Sequence, residues 1–181
     1  MPPSSKVNFS EKKEGSHKEG SHKEGSNMGE NTNLSQKERE RRMGIFHYNE
    51  GNKLYKKGNF NEAIIRYEKA LRHNEKFKEA SINLSTALMK KDRFQEAFET
   101  LQNSQKKFPK SPLIDYNLAC YYSLTKNLGP GLSSLQNAVK KGYKQFNQME
   151  TDPDLQNLRQ SEIYKAWKKN RPTPEISETL Q

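Results

Sequence analysis

The chain has 181 residues, of which 30% are hydrophobic and 30% charged, and it carries a net charge of +10. That length allows one modest domain plus a tail, and so polar a composition cannot offset ordering entropy along every stretch. A single cysteine, Cys120, excludes an intrachain disulfide framework and a cysteine-based zinc site. No apolar run reaches the ~18 residues that crossing a bilayer requires, and the amino terminus lacks a signal-peptide core. The expectation is a cytoplasmic protein with no membrane contact, whose positive charge favours acidic surfaces.

Residues 1–34 are dominated by Gly, Ser, Lys and Glu and contain a tandem pentapeptide, Glu14-Gly-Ser-His-Lys18 followed by Glu19-Gly-Ser-His-Lys23. A five-residue period with a glycine in each unit suits neither a helix face nor a strand, so this segment is expected to be a disordered low-complexity tail. His17 and His22, without carboxylate or thiolate support, would hold a transition metal weakly, and a solvated repeat is the favoured reading. Ser35-Gln-Lys-Glu38 has capping-box spacing. Arg39-Glu-Arg-Arg42 beyond it reads as a solvated lead-in to a helix, in preference to a basic docking strip.

From Gly51 to Ala70 the chain predicts two amphipathic helices joined by a tight turn at Gly58-Asn59, with Gly51, Ala63 and Ala70 at the crossing. The arrangement returns at intervals of 34 residues: Phe60, Phe94, Leu128; Ala63, Ala97, Gly131; Tyr67, Leu101, Leu135; Ala70, Ser104, Ala138. A small residue recurs on each first helix (Gly51, Ser85, Ala119), with a larger apolar one three places on (Leu54, Leu88, Tyr122). Three units follow, at 44–77, 78–111 and 112–145, and a fixed period of this length marks a stacked array of helical hairpins. Pro109 is expected to stop the second unit's second helix, and Ser111-Pro112 to cap and start the next one.

These residues resemble the tetratricopeptide repeat (TPR) family. The first unit matches most closely, through Gly51, Gly58, Phe60, Ala63, Tyr67 and Ala70. The second keeps Phe94, Ala97, Leu101 and Pro109. The third keeps Leu128, Gly131 and Leu135, with Pro130 where its predecessors have Glu62 and Glu96. Pro130 is tolerable only in the first turn of its helix. The resemblance, over roughly residues 44–145, implies an all-α, right-handed superhelical stack.

A stack of this kind needs a cap over its last apolar face. Gly142-Tyr143, then Asp152-Pro-Asp-Leu155, then Leu158-Arg159 and a short final helix are similar to a closing element of many bacterial TPR proteins. The capping segment is placed at 146–170, with Ile163 and Trp167, four apart, facing the last repeat, and the end from 171 frayed. Asp152 before Pro153 is a good helix start. Glu150, Asp152 and Asp154 lack the glycine and distal glutamate of a calcium loop, so capping is favoured over a cation site. Trp167 among lysines reads as core-covering in preference to base-stacking.

In this family the first helices line a concave groove. The resemblance places Tyr48, Asn49, Asn52, Tyr55 and Lys56 there from the first unit. It adds Ile82, Asn83, Thr86 and Lys90 from the second, and Tyr116, Asn117 and Cys120 from the third. Asn49, Asn83 and Asn117 recur at the repeat spacing; they suit either gripping a peptide backbone or bonding the neighbouring helix. A chaperone-type carboxylate clamp is not expected. Asn52 and Asn83 match it, but Tyr48, Leu113 and Asn117 stand where it needs cations.

No phosphate loop, nucleophile motif or cofactor-binding pattern is present, so the chain reads as a non-catalytic interaction module for a protein or peptide. The alternatives are a basic scaffold for RNA or another polyanion, and a self-associating TPR chaperone.

Overall fold

The computed structural model describes residues 35–170. The tail expected at 1–34, with its pentapeptides and both tail histidines, and the end at 171–181 lie outside the described residues. Those described are helical: α1 (Gln36–Lys56), α2 (Phe60–His73), α3 (Lys78–Lys90), α4 (Phe94–Lys107), α5 (Pro112–Leu124) and α6 (Leu128–Lys140), then α7 (Phe146–Thr151), a 3-10 turn at Pro153–Leu155, α8 (Gln156–Gln160) and α9 (Glu162–Asn170). No helix among them is long and apolar enough to cross a membrane.

The helices pair as α1–α2, α3–α4 and α5–α6, and each pair packs on the next through α2–α3 and α4–α5. Their starts keep the sequence period: Phe60, Phe94 and Leu128 open the second helices, and Lys78 and Pro112 open two of the first. α1 also touches α3, and α3 touches α5, whereas α2 and α4, or α4 and α6, make no comparably close approach. The stack therefore bends toward its first helices, and that row forms the concave side.

Small residues allow the close crossings. A Cβ on Gly51 would lie 2.6 Å from Tyr67 Cε1, and one on Gly131 would lie 3.3 Å from Tyr122 Cβ. Ala63, Ala97, Ala119 and Ala138 are fully buried at the matching contacts. Tyr67, Leu101 and Leu135, also buried, fill the space beside them.

The turns within the hairpins repeat as well. Residues 58, 92 and 126 all take left-handed backbone, with φ of 79°, 56° and 61°. The next residue's amide bonds back to a carbonyl five residues earlier: Asn59 to Leu54 (3.0 Å), Arg93 to Leu88 (3.0 Å), Asn127 to Tyr122 (2.8 Å). This closure satisfies carbonyls at a helix end and favours glycine, yet only the first turn has Gly58; Asp92 and Lys126 hold the others. Lys126→Gly should therefore raise stability by about 0.5–1 kcal/mol, the left-handed penalty less glycine's chain entropy. An unchanged or lower urea midpoint would contradict this.

Some local expectations need correction. Ser35 Oγ does accept from the Glu38 amide (3.3 Å), but the Glu38 carboxylate turns to Arg42 and Arg41, so only half of the capping box forms. Pro112 sits in the first turn of α5 as expected, while Ser111 makes no side-chain capping bond. Pro130 lies in the first turn of α6, where its missing amide costs nothing. On α9, Ile163 is 43% exposed and not on the repeat. The covering pair is Tyr164 with Trp167, spaced by three, with ring centroids 5.6 Å apart.

Candidate functional site

The concave row contains two different halves. In the first, α1 and α3 are stitched by a polar floor into which α2 also reaches. Asn83 Nδ2 donates to Asn52 Oδ1 (2.9 Å) and, at 3.4 Å, to the Tyr48 hydroxyl. The Tyr67 hydroxyl, from the second helix, donates to the same Asn52 oxygen at 2.9 Å. Burial, felt more strongly than any neighbouring group, pushes both the Tyr48 and the Tyr67 hydroxyl pKa values up, so each stays a neutral donor and acceptor. Asn52 and Asn83 remain half-buried, and Asn49 and Lys56 beside them are exposed. Tyr55 is not part of this open surface: it is buried, with its ring edge-on to Phe60 at 5.1 Å.

One repeat on, the rung recurs with a different side chain. Thr86 Oγ1 lies 3.1 Å from Asn117 Oδ1 and 3.1 Å from the Ile82 carbonyl, while Asn117 Nδ2 donates to the Leu113 carbonyl at 2.7 Å. Asn83 and Asn117 thus spend their amides on bonds between neighbouring helices and on their own helix. Of the two readings of the asparagine series, inter-helix bonding accounts for these two members. Asn49, with no earlier helix in the described stack, keeps its amide exposed.

The second half of the row is closed by the capping segment. Tyr143 stacks on Tyr116 with centroids 4.4 Å apart, and the Tyr116 hydroxyl donates to Asp152 Oδ2 at 2.8 Å. Asp152 Oδ1 accepts from the Asp154 amide (2.9 Å), and Lys90 Nζ reaches over α5 to Asp154 Oδ1 at 2.8 Å. Arg159 donates to the carbonyls of Met149 and Asp152. Asn157 Nδ2 and the Leu158 amide bond Ser123, while Leu155 and Leu158 are fully buried.

This closure corrects the groove assignment. Ile82, Tyr116, Asn117 and Cys120 have no exposed surface, Thr86 is 4% exposed, and Lys90 is tied to Asp154. Ile82 is lost to a different cause, since it packs with Leu101, Ile114 and Leu118 between hairpins. The open candidates are Asn49 and Lys56, with Asn52 and Asn83 half-buried and the edge of Tyr48 beneath them. Tyr67 joins the floor although its spacing marks it only as a packing residue, because nothing in the period says that its hydroxyl passes the crossing.

The capping carboxylates are all engaged. Glu150 accepts from Tyr164 (3.0 Å) and Lys168 (2.7 Å), Asp152 caps the 3-10 turn, and Asp154 pairs with Lys90. No group of three His, Cys, Asp or Glu side chains among the described residues is arranged to hold a metal ion. His47 and His73, on the far side of the first hairpin, stack on each other with centroids 5.5 Å apart. Burial first, then the charges of Arg66, His73, Lys69 and Arg72, depress the His47 pKa.

Against known proteins, residues 54–119 match the family model for the tetratricopeptide repeat. A 67-residue stretch, 37% of this chain, is 37% identical to a chloroplastic protein of Arabidopsis thaliana and takes in 20% of that protein's length. The chain therefore spans about a fifth of the curated relative that it matches. Among solved structures, the TPR2B domain of yeast Sti1, determined as a complex with pHsp70, superposes with a TM-score of 0.57 at 18% identity, over 72% of this chain and 99% of that one. The type III secretion translocator chaperone SycD of Yersinia enterocolitica gives 0.55 at 14% identity, over 73% and 96%. The C-terminal TPR-containing domain of a Plasmodium falciparum FK506-binding protein gives 0.56 at 18%, over 76% and 97%. With its 34-residue helical period, its repeated left-handed turns and these matches, the described stack has the tetratricopeptide-repeat fold, and residues 54–119 match that repeat family.

Proposed function

We propose that this protein is a non-catalytic interaction module of the cytoplasm that binds an extended segment of a partner protein in the open half of its concave row. The observation that carries this reading is the floor of Tyr48, Asn52, Tyr67 and Asn83, bordered by exposed Asn49 and Lys56. Half-buried amides whose orientation is fixed by tyrosine hydroxyls suit a peptide backbone, which presents donors and acceptors alternately. Lys56 has no ionic partner among the described residues, so it would add a preference for an acidic or polar segment. Solved structures with this fold include a domain in complex with pHsp70, a type III secretion translocator chaperone and a CopN–Scc3 complex, which supports a protein as the kind of ligand. The one thiol offers no chemistry to a substrate, since Cys120 is fully buried behind the capping turn.

The test uses the exposed residues, which leave packing alone. The full chain is immobilised, partners are captured from native lysate, and the captured set is compared with that of Asn49→Ala/Lys56→Glu. The groove reading expects at least one partner to be lost from the variant while its urea midpoint stays at the wild-type value. Identical captured sets would remove this surface as the binding site. A filter-binding titration with RNA at two salt concentrations addresses the polyanion alternative, for which salt-sensitive binding would be required.

A further inference from the structure

The first hairpin carries a second surface that the later hairpins do not expose. Phe46 on α1 is 52% exposed, whereas its repeat equivalents Ala80 and Ile114 are fully buried. One turn on, Glu50 is half-buried where Leu84 and Leu118 are buried at 6% and 4% exposure. Met43, a turn earlier on the same stripe, is 43% exposed. In the third unit these positions are sealed by the preceding second helix: Ile114 and Leu118 cluster with Leu101 of α4. In the second unit, α2 packs against α3 in the same manner. The outer face of α1 is thus a helix seat with no helix in it among the described residues.

Its surroundings are basic. Arg39 lies on the Met43–Phe46 stripe, and Arg66, Lys69 and Arg72 form a matching stripe on α2. The charges of these last three bear on the His47 ring, which stands edge-on to Phe46 at 5.3 Å, and the Arg66 guanidinium lies 3.4 Å from His47 Nδ1. Nearby carboxylates are already committed: Glu38 to Arg41 and Arg42, Glu40 to His73, and Glu50 to Lys53. None of the four cations has a carboxylate partner among the described residues.

We propose that this face seats an acidic amphipathic helix from a partner protein, its apolar stripe on Phe46 and Met43 and its carboxylates toward Arg39, Arg66, Lys69 and Arg72. The two later seats are filled by helices, which argues for a helical occupant. The charge argues against a second copy, whose own basic face would oppose this one. Residues 1–34 offer five Lys against five Glu and no apolar stripe of helical period, so they are a poor match. The surface is separate from the groove and does not depend on it.

The test is a selection of displayed helical peptides on the immobilised full chain, followed by titration of synthetic winners. Enriched peptides should carry an apolar i, i+3, i+4 stripe and a net negative charge, and should weaken as salt rises. They should bind Phe46→Ser about tenfold or more weakly, lose comparable affinity on Lys69→Glu/Arg72→Glu, and be unaffected by Asn49→Ala/Lys56→Glu. Phe46 is exposed, so a wild-type urea midpoint for Phe46→Ser confirms that folding is intact. Winners that are basic, or indifferent to Phe46, overturn the proposal, as does failure to enrich any peptide. Concentration-dependent dimerisation abolished by Phe46→Ser would assign the face to a second copy instead. RNA binding abolished by that variant would assign it to nucleic acid.

Discussion

Ala97→Glu should lower the stability of the described stack by about 4 kcal/mol or more, which is enough to unfold many domains. Ala97 has no exposed surface and lies where α4 crosses α3, at the place held by Ala63 in the hairpin before it. A glutamate there brings a longer side chain that the crossing cannot admit, and a carboxylate that finds no cation within the apolar cluster. The helices would have to separate or the side chain take up a proton, and either route gives up much of the native packing. The neighbouring residue supplies the control. Glu96 is solvent-exposed and paired with Arg93 through two bonds, of 2.7 and 2.6 Å, so Glu96→Ala should leave the urea midpoint close to wild type. A one-residue error in the helix phase would interchange the two outcomes. Equal midpoints for Ala97→Glu and wild type would show that the crossing is not where the structure puts it.

That phase is legible in the sequence because it is written redundantly. Gly51, Ala63, Ala70 and their equivalents lie at helical spacing within a unit and again at 34 residues between units, so a misreading of one is corrected by the others. Features written once are not legible. Asp92 and Lys126 adopt the left-handed turn of Gly58 although neither residue type announces it; only their place in the period does. α9 is too short for its apolar face to be fixed from within, so spacing puts Ile163 on the repeat where Tyr164 packs. Ser111 has the composition of a cap, but its side chain bonds no helix amide.

The candidate site divides along the same line. Which row of helices forms the concave side follows from the family resemblance. Which of its residues stay open does not, because the covering group is outside the period. Asp152 and Asp154 return to Tyr116 and Lys90 across separations of 36 and 64 residues, and no local pattern encodes such a contact. Tyr116, Asn117 and Cys120 therefore look available in the sequence and are not. The floor of the open half is legible because Asn52 and Asn83 meet between adjacent units, at a separation of 31 residues that lies close to the period. Phe46 escapes a sequence reading for the converse reason: an apolar residue in a helical pattern reads as core until its repeat equivalents are seen to be covered by something that the first unit lacks.

Gly51→Leu should destabilise by about 3 kcal/mol, and Gly51→Ala by about 1 kcal/mol, against the direction of helix propensity. Propensity alone favours both changes in a helix interior by up to ~1 kcal/mol, so the sign of the result is decided by packing. The Cβ added at Gly51 would lie 2.6 Å from Tyr67 Cε1 and 2.8 Å from Cδ1, inside any real contact distance. The ring has little room to yield, for it is 1% exposed, packs near Tyr48 at 6.1 Å and is tethered through its hydroxyl to Asn52. Moving it loosens the Asn52 oxygen that also receives Asn83, so the cost should appear at the groove floor as well as in the urea midpoint. A partner that contacts the floor should bind Gly51→Ala more weakly even at temperatures where the variant is fully folded. A partner seated on Phe46, on the opposite face of α1, should not distinguish Gly51→Ala from wild type. If Gly51→Ala is more stable than wild type, the ring has space that the structure denies it, and the floor is not held by this crossing.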